Sequence, residues 1–243
     1  MTRTSHTLDL APPVLAQSFK GAINLAAAAH VLVDVAPFSG MDAGDLIELY
    51  WDDCYVASHV LTTEEVGVAV SLRVPESFIV SGSSTFHYRL MQVGQAPAVS
   101  ATTRVEVKLD CPGGQPSTLG DDENQQLAPV SLPDTIRRKG VNPGQIRRGL
   151  PLSIEPYPNM AEDDEITLRW GDVRMDLPRL TADDIGRRIQ VWVPSSVIVE
   201  AGEDLRLDVS YCVIDRVGNN SRWAPPRTLK IGCANAFLTV PLK

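Results

Sequence analysis

Apolar and polar residues alternate over Asp45–Trp51, where Ile47, Leu49 and Trp51 are separated by polar or amphipathic side chains. The pattern returns over Asp164–Trp170, with Ile166, Leu168 and Trp170. A period of two sends successive side chains to opposite faces, so each stretch predicts a strand with one buried face, ending in an inward Trp. The correspondence runs further. Met41, Trp51, Gly67 and Pro75 recur as Met160, Trp170, Gly186 and Pro194, always 119 positions later. One offset held across four landmarks marks a supersecondary plan used twice.

Other alternating segments fall into the same scheme. Val31–Val35 answers Leu150–Ile154, Val70–Val74 answers Ile189–Val193, and Phe86–Leu90 answers Val209–Val213. The last strand is Val105–Leu109 in the first unit and Leu229–Ile231 in the second. Each unit therefore predicts about seven short strands in about a hundred residues, with regular turns and no convincing helix. Thr63–Val66 and its match Ala182–Ile185 read as single turns at strand crossings. The expected fold is all-β, two immunoglobulin-like β-sandwiches in tandem. Residues 1–9 read as a tail, 10–110 and 127–233 as the two domains, and 234–243 as an apolar C-terminal extension. Residues 111–126, rich in Pro, Gly and acids, read as a solvated linker.

Composition narrows the function. The chain has 243 residues, 44% hydrophobic and 21% charged, as a globular protein with real cores requires. Its net charge of −8 argues against nucleic-acid binding, which rests on neutralising phosphates. The N-terminus carries Asp9, Pro12 and Pro13 where a signal peptide would be apolar, and Leu25–Ala29 is too short to span a membrane. The expected location is cytoplasmic, or the cell surface or exterior by a non-classical route.

The last hairpin of the second unit carries Val209, Tyr211, Val213, Asp215, Gly218, Asn219 and Ser221 in a VxYxVxDxxGNxS pattern. This resembles tandem bacterial Ig-like repeats of invasin- and adhesin-type surface proteins, especially those of pseudomonads. The resemblance implies the sandwich fold and a role as spacer or binding module.

The sequence offers little chemistry for catalysis. No GxSxG, HExxH or phosphate-binding Gly-rich loop is present, and the histidines His30, His59 and His87 are scattered. No enzyme activity and no cofactor is expected. Cys54, Cys111, Cys212 and Cys233 face differently by strand parity, with Cys212 outward, so free thiols are expected rather than disulfides. No pair of Cys or His has ligand spacing, and the acidic run Glu162–Glu165 reads as a solvated turn rather than a calcium loop.

Two features of the second unit suggest a partner. Arg137, Arg138, Lys139, Arg147 and Arg148 cluster in one early strand-loop region, where the first unit has only Lys20. Trp192 replaces Arg73 on an outward position, and Trp223 follows the last hairpin turn. A wet Trp is uncommon outside interfaces. The expected function is a non-catalytic binding module for a protein, glycan or membrane surface, with anionic character matched to the arginines. The alternatives are an assembly module that self-associates through edge strands or the C-terminal segment, and a secreted toxin or effector.

Overall fold

The structure, a computed structural model, describes residues 9–115 and 122–231. The chain divides into two compact units, Met1–Leu109 and Asp110–Lys243. The first contains β1 (Val14–Leu15), β2 (Ala22–Asn24), helix α1 (Leu25–Ala28), β3 (Leu32–Val35), β4 (Leu46–Trp51), β5 (Cys54–Val60), β6 (Val70–Arg73), β7 (Gly82–Met91), β8 (Ala98–Val99) and β9 (Thr103–Lys108). The second contains α2 (Asp134–Lys139), α3 (Pro143–Arg148), β10 (Leu150–Ile154), β11 (Glu165–Trp170), β12 (Val173–Asp176), β13 (Ile189–Val193), α4 (Ser195–Ala201), β14 (Asp204–Ile214) and β15 (Arg227–Ile231).

Each unit is a two-sheet sandwich. In the first, β1-β3-β6 faces β2-β9-β7-β4-β5, with β8 also on β7. In the second, β10-β13 faces β12-β11-β14-β15. Inward positions alternate as the pattern demands. Ile47, Leu49 and Trp51 are buried in one core, and Ile166, Leu168 and Trp170 in the other. Truncating either Trp to Ala is expected to cost about 3–5 kcal/mol.

The duplication reaches deeper than the sequence pattern. Strand β2 runs parallel to β9 with Ile23 opposite Val107, and Val141 makes a parallel bridge to Ile231. Asn24 then caps α1, its side chain accepting from the Ala27 amide at 2.9 Å, and Asn142 caps α3 by accepting from Gln145 at 3.0 Å. Thr62 with Glu65 and Thr181 with Asp184 form matching capping boxes on the 3-10 turns predicted at the strand crossings.

Two readings are corrected. Short helices are present, and the second unit has three of them among the described residues. The segment read as a solvated linker belongs in large part to the second unit. Cys111 to Gly114 are buried, Gly113 donates to the Pro158 carbonyl at 2.7 Å, and Asn159 donates to Cys111 O at 2.9 Å. Buried Asn124 donates to the carbonyls of Gly113 (3.0 Å) and Ser221 (3.1 Å). The glycines here serve close packing, because a Cβ on Gly113 would lie 2.5 Å from Leu127 Cδ2. Cys212 does lie on the outer face of its sheet, yet it is buried. Among the described residues no helix is long and apolar enough to cross a membrane.

Candidate functional site

The basic residues sit on two one-and-a-half-turn helices rather than in a strand-loop region. Arg137 and Arg138 share Asp134, at 2.8 and 3.5 Å, on the exposed face of α2. Such exposed pairs contribute little stability, about 0.3–0.5 kcal/mol each. Ile136 and Ile146 fix the two helices by burying their one apolar face each. Arg147 and Arg148 end α3, with Lys139 at the end of α2, where cations offset the carbonyl dipoles.

Trp192 meets the end of α3. It lies on β13 between buried Val191 and Val193, so its side chain leaves the outer face of the two-stranded sheet. The indole rests on Gly149, the residue closing α3. A Cβ there would come within 2.6 Å of Trp192 Nε1 and 2.5 Å of the Val193 carbonyl. Even so, Trp192 remains 57% exposed. Beside it a groove of about 370 Å³ opens between β13 and β12. Met175, Leu177 and Pro178 line one side and Ile189 and Trp192 the other, with Arg179 and Asp184 as polar points. Arg179 is tied to Glu165 by an ion pair. Both strands end their sheets, so the groove runs along two strand edges.

Trp223 is elsewhere. It is half-buried against Arg169, whose Cζ stands 4.7 Å from the ring centroid. Arg169 lies between buried Leu168 and Trp170 and so projects from the outer face of the four-stranded sheet. Trp192 and Trp223 therefore occupy opposite faces of one sandwich. The structure brings Trp192 together with the Arg147–Arg148 end of α3 and keeps Trp223 apart from both.

The remaining candidates have structural employment. Asp164 of the acidic run is buried, accepting from the Tyr157 hydroxyl at 2.8 Å and the Ala161 amide at 3.0 Å. Burial, then the Asp164 carboxylate, pushes the Tyr157 hydroxyl far above its ordinary pKa. Asp215 accepts from the amides of Val217 and Asn219 at 3.1 and 2.8 Å, which accounts for the DxxGN part of the hairpin pattern. His59 is held by Glu65 at 2.8 Å, and His87 stacks on Tyr50 with centroids 5.1 Å apart. Cys54 and Cys212 are free thiols, and Cys233 lies outside the described residues, as do 234–243. Among the described residues no three His, Cys, Asp or Glu side chains form a metal-holding group.

No protein-family model matches the chain, and no curated protein matches it in sequence. Solved structures similar to it include a 1.5-MDa bacterial ice-binding adhesin, at 14% identity and TM-score 0.39, covering 91% of this chain and 64% of that one. The fibronectin(III)-like modules of Clostridium thermocellum CbhA match at 9% identity and TM-score 0.44, covering 95% and 98%. A two-domain fibronectin type III segment of chicken tenascin matches at 10% identity and TM-score 0.29, covering 90% and 99%. The chain thus spans less than two thirds of the adhesin chain. Its own strand order and buried faces define it as two tandem immunoglobulin-like sandwiches.

Proposed function

We propose that the chain is a binding module whose second unit holds its partner in the groove beside Trp192. The observation that carries this reading is a Trp left 57% exposed at the mouth of an apolar groove, where the first unit has Arg73. A large apolar ring kept wet on a rigid strand is the usual anchor of an interface. Arg147 and Arg148 lie on the Gly149 side of the indole and favour a ligand that carries negative charge. The partner therefore offers an apolar or sugar face to Trp192 and acidic groups to the end of α3. The tall acidic bias of the whole chain makes this local basic end a matter of orientation rather than bulk attraction.

The test is a glycan and lipid-vesicle binding screen at low and high salt, followed by Trp192→Ala on any hit. Loss of at least about tenfold in affinity, roughly 1.4 kcal/mol, is expected with unchanged thermal stability. Arg147→Gln with Arg148→Gln is expected to flatten the salt dependence while leaving part of the affinity. A hit that Trp192→Ala leaves untouched refutes the groove.

A further inference from the structure

The opposite face of the second unit brings together two arginines that form no ion pair among the described residues. Arg169 on β11 and Arg174 on β12 stand directly opposite each other in the ladder. Like charges at such positions repel and weaken the pairing. Both guanidinia lie over one ring, with Cζ at 4.7 Å for Arg169 and 5.7 Å for Arg174 from the Trp223 centroid. Trp223 is itself fixed through its backbone, donating to Asp122 O at 3.1 Å and accepting from the Asn124 amide at 2.8 Å.

Among the described residues neither guanidinium has an ion-pair partner. Asp176, on the same strand as Arg174, is bound to the Thr167 hydroxyl at 2.6 Å. The equivalent face of the first unit is built the other way. Tyr50 and Tyr55 stand 119 positions before Arg169 and Arg174, and the cation there, Arg89, is neutralised by Glu48 at 2.5 Å. Cation–π contact holds the two arginines of the second unit but leaves their charge in place.

We propose that Arg169 and Arg174, held side by side on Trp223, form an oxyanion-binding site that takes a single phosphate or sulfate group. Each guanidinium presents a planar fork of donors suited to such a group, and one anion between them removes the repulsion across the ladder. The indole against which both guanidinia lie is a donor only, so it offers no acceptor that competes for theirs. The site is independent of the Trp192 groove and stands or falls separately.

The full chain is titrated with inorganic phosphate and with inorganic sulfate at constant ionic strength, and the Trp223 indole N–H resonance is followed by NMR, assigned with Trp223→Phe. A saturable shift is expected with either ion, absent when chloride alone is varied. It is expected to vanish in Arg169→Gln/Arg174→Gln, while the buried Trp51 and Trp170 resonances stay in place and report an intact fold. Arg137→Gln/Arg138→Gln is expected to leave it unchanged. Competition by a sulfated oligosaccharide or by vesicles containing phosphatidic acid identifies the larger molecule that carries the group, and competition by neither identifies the free ion. A response no different from that to chloride, or a saturable shift that survives in the double variant, overturns the proposal.

Discussion

Arg73 and Trp192 occupy the same place in the two units, each covering the end of the helix that precedes the adjacent strand. Arg73 donates to the Ala29 carbonyl at 2.9 Å, where α1 closes. Trp192 lies on Gly149, where α3 closes. The first solution satisfies an exposed carbonyl with a cation, as helix ends commonly are. The second sets a flat ring against backbone and needs a residue without a Cβ below it. The exchange turns a capping contact into an exposed apolar surface without altering the strand, so a duplicated scaffold acquired an asymmetric face through one position and its support.

The largest effect is expected from removing that support. Gly149→Ala places a Cβ at φ +85° and 2.5 Å from the Val193 carbonyl. Backbone strain of about 1–3 kcal/mol and a displaced indole should lower the denaturation midpoint of the second unit and any Trp192-dependent binding together. Ala29→Gly at the matching place of the first unit should change stability by less than about 1 kcal/mol. Equal losses from both would mean that the two helix ends are not alternative solutions.

A smaller contrast separates the two core tyrosines. Tyr211 donates its hydroxyl to Ala128 O at 3.0 Å, whereas the buried Tyr88 hydroxyl has no partner among the described residues. Tyr211→Phe should cost about 1 kcal/mol in chemical denaturation, while Tyr88→Phe should be neutral or slightly stabilising. A larger loss at Tyr88 would show that its hydroxyl is satisfied after all.

The smallest effect is expected at the capping box of the first unit. The Thr62 amide, then His59, draws the Glu65 carboxyl from 4.5 down to about 2. A carboxyl held below its unfolded pKa binds fewer protons when folded, so its stabilising contribution is complete above about pH 4.5 and disappears toward pH 2. Acid titration of the first unit's thermal midpoint should show a shallow fall across that window, and Glu65→Gln should remove it. The exposed setting of the pair keeps the fall shallow. Asp184, drawn down by the Thr181 amide, should give the second unit a matching response.

Strand positions were legible because a buried face imposes a period of two, and the 119-residue offset supplied the register twice. The helices escaped because four to seven residues give too few turns for a 3.6 period to emerge. Their ends were nevertheless written in the chain. Asn142 before Pro143, the basic pair Arg147–Arg148 and then Gly149 spell a start, a last turn and a stop. The segment after Asp110 was misread because Pro and Gly signal both flexibility and close approach, and only the neighbour above Gly113 distinguishes them. Trp192 was legible as an outward residue on a strand. The Arg169, Arg174 and Trp223 cluster was not, since it requires the hairpin register and the position of a loop fifty residues away in the chain, neither of which periodicity records.

The clasp at the start of the second unit also has a mechanical meaning. Tension entering that unit from its N-terminal side meets the Gly113–Pro158 and Asn159–Cys111 hydrogen bonds before it reaches any strand. Forced opening is governed by rates, so these few bonds are the first to be loaded. The clasp thus stands in series ahead of the sandwich, as a latch stands ahead of the door it holds.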